Sequence, residues 1–269
     1  MIIDADCHVS ARETGPEIGV EQLLRRMDKI GVERAICWPH VSYQRELAED
    51  NRAICEGARA HPDRIIAFCG VNPRLGLATA QDELRRCIEV YGVRGVKLNG
   101  ARDVYPIDDA ELALPLVEAI HQAGLVLAVH CGPPDVEKTH PHRLANLSSQ
   151  FPALRMLIVH MGGSGVPDVN RTVVSFARQH PNWLLVDSEA DYRQVQLAIS
   201  VLGAERVCYG SDSPFCDMRY EWGIRQVVYQ DLTPAQRDAI LGGNVARMLG
   251  LKQSDPPSGG SRTQSLECS

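Results

Sequence analysis

Eight short runs rich in β-branched residues alternate with longer stretches of helical periodicity, and this alternation limits the fold more than any other feature of the chain. The strand-like runs fall at 2–8, 34–38, 65–71, 95–98, 126–131, 156–161, 183–187 and 207–211. Several are almost continuously apolar, as expected of strands buried on both faces of a parallel sheet. Between them lie 3.6-residue stripes at 20–30, 46–60, 78–91, 110–123, 143–151, 169–180, 192–202 and 219–229, followed by 234–241 and 245–249. In the first of these, Val20, Leu23, Leu24, Met27 and Ile30 form one face and Gly31 ends it. Strands alternating with helices imply parallel pairing. Eight such units in a chain of this size predict a single (β/α)8 TIM barrel over 1–251, with helices 234–241 and 245–249 closing its C-terminal side. A doubly wound open sheet is the competing arrangement, but no GxGxxG or P-loop follows any strand. The remaining segment, 252–269, is rich in Ser, Gly and Pro and reads as a flexible tail.

Composition narrows the function classes. With 28 basic and 34 acidic residues the net charge is -6, which argues against a nucleic-acid partner. No run of 18 apolar residues suggests a membrane span, and MIIDADCHV lacks the basic start of a secretion signal. The nine cysteines form no CxxC pair and several sit in apolar runs, so they read as reduced, buried thiols of a cytoplasmic protein.

In a barrel of this kind, reactive groups gather at the C-terminal ends of the strands. Six side chains fall there: Asp6 and His8 on the first strand, Lys97 on the fourth, His130 on the fifth, His160 on the sixth and Asp212 just past the eighth. Alternation along a strand puts Asp6 and His8 on one face, with Cys7 on the other. Two such donors on one strand, joined by His130 and Asp212, make a nitrogen and oxygen set suited to Zn2+, Mn2+ or Fe2+, with Zn2+ foremost. His40 and Asn99 lie in loops after strands two and four, and Arg171 lies shortly after Gly162 and Gly163; these three and Lys97 are candidate contacts for a small-molecule substrate. His140 and His142 read as loop residues rather than ligands.

The order of these segments resembles the amidohydrolase superfamily, specifically its amidohydrolase-related branch, over about residues 2–251. IDADCH resembles that branch's paired metal-binding stretch on strand one, GVRGVKLNG its strand-four segment, LVLAVHCG and RMLIVHMGG its strand-five and strand-six histidines, CYGSDSPF its strand-eight aspartate and GGNVARMLGL its closing helix. The resemblance implies a metal-dependent hydrolase or, in some members, a non-oxidative decarboxylase. It implies Asp6, His8, His130 and Asp212 as metal ligands, His160 as the group that polarises substrate or moves protons, and Asp212 also as general base. The first position of the paired motif is usually histidine, and some relatives, notably decarboxylases, carry an acid there as Asp6 does. One ion is expected, or two if Lys97 is carboxylated and bridges them, and the resemblance is also compatible with a homodimer.

Three functions follow as expectations. The first is hydrolysis of an amide, lactone or ester of a small polar substrate, with Asp212 accepting a proton and His160 stabilising the oxyanion. The second is decarboxylation of a small aromatic or enoic acid. The third is a non-catalytic, ligand-binding barrel.

Overall fold

A computed structural model of the chain describes residues 1–41, 45–163, 166–215 and 217–251. Eight parallel strands run in the order of the sequence: β1 (Ile3–Val9), β2 (Arg34–Pro39), β3 (Ile65–Gly70), β4 (Gly95–Leu98), β5 (Val126–His130), β6 (Met156–Val159), β7 (Trp183–Val186) and β8 (Val207–Cys208). Helices fill the connections: α1 (Val20–Ile30), α2 (Ala48–Ala60), α3 (Leu77–Arg86), the single turn α4 (Gly100–Asp103), α5 (Leu114–Gln122), α6 (Pro141–Gln150), α7 (Pro167–Ala177) and α8 (Tyr192–Leu202). Three more follow β8: α9 (Asp217–Val228), α10 (Pro234–Asp238) and α11 (Asn244–Leu249). This is the expected (β/α)8 barrel. The expected tail, 252–269, lies outside the described residues, as do the thiols of Cys216 and Cys268.

Two apolar layers hold the barrel together, and strand alternation sorts residues between them. Ile36 and Trp38 of β2, Val126 and Ala128 of β5, and Leu157 and Val159 of β6 fill the interior. Their neighbours Ala35, Cys37, Leu127, Val129, Met156 and Ile158 face the helices. A fully buried Leu or Ile contributes about 1.5–3 kcal/mol, so the near-unbroken apolar strands supply most of the driving force. The same alternation turns Lys97 and His130 inward, in phase with Gly95 and Ala128. Cys7, Cys37, Cys55, Cys69, Cys87, Cys131 and Cys208 are buried and free of disulfides, as the sequence led us to expect. Among the described residues, no helix is long and apolar enough to cross a membrane.

Two helices begin and end as their stripes require. At the end of α1, Gly31 adopts φ 78°, and its N–H closes the helix onto the Met27 carbonyl; a side chain there would be strained. In α8, Asp191 caps the start and Gln194 answers back to the Asp191 N–H. α5 starts later than 110 because the Asp109 carboxylate takes the N–H groups of Glu111 and Leu112 into a turn first.

The strands depart from regularity at one seam. The first strand is bulged: Asp4 pairs with Ala35 but Cys7 with Cys37, so β1 carries one extra residue between them. Simple alternation would align Asp4 with Asp6 and His8. The bulge instead places Ala5 in the interior layer and Cys7 in the outer one. The eighth strand was expected over 207–211, yet its ladder with β7 stops at Cys208. Beyond it, Gly210 and Ser211 give their N–H groups to side chains of Asp187 and Asp4 rather than to a neighbouring strand.

Candidate active site

The strand ends bring most of the expected residues together. Ligand atoms of Asp6, His160 and Asp212, all buried, lie within 4.8 Å of one another. His8 Nε2 lies 3.5 Å from Asp6 Oδ1 and 3.2 Å from Asp212 Oδ1. The His130 and His160 rings meet edge to face with centroids 4.7 Å apart. Lys97 is buried, with Nζ 4.2 Å from the centroid of the Trp38 ring and no hydrogen-bond partner. Two members hold left-handed backbone that non-glycine residues rarely adopt, His160 at φ 69° and Asp212 at φ 58°. Such conformations cost about 1–3 kcal/mol each and persist where surrounding structure fixes them.

Hydrogen bonds fix how the imidazoles are presented. His8 Nδ1 lies 3.1 Å from the Pro39 carbonyl, which can only accept, so that nitrogen carries a proton. Its Nε2 then faces the carboxylates, and the Trp38 indole N–H points at the same atom over 3.2 Å. His130 Nε2 lies 2.6 Å from the Pro133 carbonyl, which assigns the proton to Nε2 and the lone pair to Nδ1. For His160, Nδ1 is 3.0 Å from Ser188 Oγ and 3.3 Å from the Ser188 carbonyl. Ser188 Oγ spends its proton on Asp6 Oδ2 at 2.6 Å, so it accepts from His160. A chain from His160 through Ser188 to Asp6 results, and His160 Nε2 keeps its lone pair.

Electrostatics follow from packing charges out of water. Burial raises the Asp6 carboxyl, but the close approach of His8 and the charge of Lys97 more than offset it and hold Asp6 below the usual carboxylate range. Burial lowers His8, yet bonding to Asp212 and Asp6 wins and raises it to about 9. Desolvation lowers Lys97 to about 8 against the pull of Asp6 and Asp212. His130 is driven well below the ordinary imidazole value by burial and by its neighbours His160 and Lys97, so it stays neutral and ligand-competent.

A divalent cation fits these residues. Asp6 Oδ1 is buried without a hydrogen-bond partner, which is costly unless a cation or a protonated neighbour faces it. Two carboxylates and a neutral imidazole nitrogen converge on one point, a donor set that such ions favour.

A narrow cavity of about 20 Å3 beside the cluster is lined by His8, His40, Lys97, Asn99 and Asp103, among others. It shares Leu47, Gly70 and Val71 with a wider cavity of about 340 Å3 between α2 and α3. His40 faces inward, its ring 6.2 Å from that of His8 and 4.6 Å from that of Phe215. Asn99 lines the space while its side-chain oxygen caps α4 by accepting the Arg102 N–H. Arg171 is not brought to the cluster: its guanidinium is 67% exposed on α7 and pairs with Asp168 one turn earlier at 2.8 Å. His140 is likewise a cap, accepting the His142 N–H at the start of α6.

Sequence reasoning missed four groups. Trp38 and Ser188 lie at or just beyond the ends of β2 and β7, where the strand-end rule would have found them. Asp187 precedes Ser188, and Asp4 lies two residues before Asp6 on the bulged first strand. Although only 5% of the chain is aromatic, Trp38, Phe68 and Phe215 gather at or beneath the site.

The Amidohydrolase family profile matches residues 3–251. Solved structures share the fold at low identity. An uncharacterized TIM-barrel protein from Bordetella bronchiseptica superposes with a TM-score of 0.75 at 18% identity, covering 93% of this chain and 98% of that one. The 2,6-dihydroxybenzoate decarboxylase from Rhizobium gives 0.74 at 19% identity, with the same coverages. A dihydroxybenzoic acid decarboxylase from Polaromonas sp. JS666, with bound manganese and the inhibitor 2-nitroresorcinol, also gives 0.74 at 19% identity, covering 94% of this chain and 98% of its own.

Proposed function

Starting from a chain that belongs to the amidohydrolase family as a metal-dependent enzyme, we propose that it is a non-oxidative decarboxylase of a small hydroxylated aromatic acid. This places the second of the sequence expectations ahead of metal-assisted hydrolysis. The observation that carries it is Lys97, a buried ammonium on the Trp38 ring beside the acid cluster. It suits an anionic substrate, with Phe215 and His40 supplying ring faces nearby. Support also comes from the aromatic-acid decarboxylases that share the fold.

Asp6 and Asp212 hold the cation, with His160, His8 and His130 as the surrounding imidazoles. The oxygen-rich donor set and the manganese of the Polaromonas enzyme favour Mn2+ over Zn2+. When bound, the ion supplies Lewis acidity toward substrate oxygens. Lys97 pairs with the substrate's anionic groups as a point charge, uncarboxylated. Asp212, 3.2 Å from His8 Nε2, carries a proton to the ring carbon. The bond from that carbon to the carboxylate carbon breaks, its electron pair restores the aromatic ring, and CO2 leaves. His160, tied through Ser188, keeps Asp6 fixed while this happens.

The test strips the protein with a chelator, reloads it with Mn2+ and presents 2,6-dihydroxybenzoate and related hydroxybenzoates beside a panel of lactones and amides. Metal-dependent CO2 release is expected. Turnover of a lactone or amide with no CO2 from any aromatic acid would restore the hydrolase reading, and a metal-replete protein inert on both panels would favour the binding barrel.

A further inference from the structure

Two buried acids outside the metal cluster, Asp4 and Asp187, hold the backbone that delivers Asp212. Among the described residues β8 pairs with β7 over two positions only, and β1 meets the segment after β8 through an isolated bridge from Cys7 to Ser213. Backbone bonds across this seam run from Ala5 N–H to the Tyr209 carbonyl at 3.0 Å and from His8 N–H to the Ser213 carbonyl at 2.7 Å. Between those two points the ladder is replaced by carboxyls. Asp187 Oδ1 accepts the Gly210 N–H at 2.8 Å, and Asp4 Oδ1 accepts the Ser211 N–H at 2.9 Å. Asp4 Oδ1 also accepts the Asp6 N–H at 3.0 Å. One oxygen thus joins the backbone of Asp6 to the residue preceding Asp212.

The approach is close enough to need glycine. A Cβ on Gly210 would come within 2.4 Å of Val186 Cγ1 and 3.0 Å of Asp6 Cβ. Both acids are almost fully buried, and Gln226 Nε2 braces the far oxygen of Asp187 at 3.4 Å. Such outer groups orient the ligands and tune their affinity for a metal.

We infer that Asp4 and Asp187 are positioning residues that clamp Gly210 and Ser211 and so set the approach of Asp212 to Asp6. The inference rests on the reading of Asp6 and Asp212 as metal ligands. Its test measures Mn2+ binding to the metal-free full chain by the loss of the free-ion EPR signal, with the spectrum of the bound ion as a second readout. Asp4→Ala and Asp187→Ala are expected to weaken binding about 10–100-fold and to alter the bound spectrum. Asp4→Asn and Asp187→Asn, which keep the accepting oxygen, should bind within about threefold of the parent. Leu116→Ala, a buried change on α5, is the control for lost stability and should bind as the parent does.

Either alanine variant suffices if the other does not fold. Parent-like binding in a folded alanine variant, with binding lost in Asp212→Ala, overturns the clamp alone. Asparagine variants as weak as the alanine ones also overturn it, because charge rather than N–H acceptance would then be at work. Parent-like binding in Asp212→Ala overturns the metal reading and the clamp with it.

Discussion

The two sides of the barrel present their chemistry by different means. From β3 to β7 the strands lie in register along backbone ladders, and alternation alone aims Lys97 and His130 inward. At the seam between β8 and β1 the ladder gives way to a bulge, a two-residue strand and side-chain acceptors, and that is where Asp6, His8 and Asp212 meet. Regular sheet keeps neighbouring strands about 4.8 Å apart. Drawing two carboxylates and an imidazole to one point takes backbone that departs from that spacing. The ladder side therefore offers a fixed cation and neutral rings, while the seam offers concentrated negative charge.

The sharpest way to break this contrast is at the seam. Asp212→Ala should lower CO2 release at least about 1,000-fold and abolish Mn2+ retention, read by metal analysis after gel filtration. Chelation of the parent should match that loss, and added Mn2+ should reverse it. On the ladder side, Lys97→Met should raise KM and lower kcat/KM by about 10–100-fold while metal content stays unchanged. Metal loss in that variant would mean that Lys97 belongs with the ligands after all.

Ser188 links the two sides, since it touches both Asp6 and His160. Ser188→Ala should weaken Mn2+ binding about tenfold, measured by equilibrium titration. An unchanged affinity would make the seam independent of β6. The smallest effect concerns stability. Burial raises the Asp187 carboxyl from its ordinary value to about 8. The folded state therefore favours the neutral acid, and the stability this gives is complete below about pH 4 and is lost as the pH rises through 8. Asp187→Asn, neutral throughout, should gain on the parent by at least about 1 kcal/mol between pH 4 and pH 8 in denaturant titrations. A difference that does not change with pH would place a charged Asp187 in the fold.

The ladder side was legible in the sequence and the seam only partly so. Apolar runs bounded by helical stripes identify buried strands because both faces must be covered, and the residues ending them inherit a direction from alternation. Lys97, His130 and His160 were found that way. Asp6 and His8 were assigned to one face correctly, but the bulge that sends Asp4 elsewhere leaves no mark in a hydrophobic pattern. The short β8 was overread for a related reason: Tyr209, Gly210 and Ser211 continue an apolar run, yet their N–H groups go to Asp187, Asp4 and the Ile240 carbonyl, contacts made across long stretches of chain. Arg171 looked like a substrate contact from its place after two glycines, whereas Asp168 offered it a partner one helical turn away.

The closing helix carries a consequence for traffic through the molecule. Val245, Ala246 and Leu249 of α11 join the interior layer, and Arg94 and Arg155, which precede β4 and β6, hold the carbonyls of Leu249 and Met248. The end of the barrel where the strands begin is thus stoppered by apolar side chains. The cavity lined by His40, Lys97 and Asn99 lies at the opposite end, which is the side from which the acid cluster is approached. Arrival and departure on that one side would make each turnover wait for it to clear.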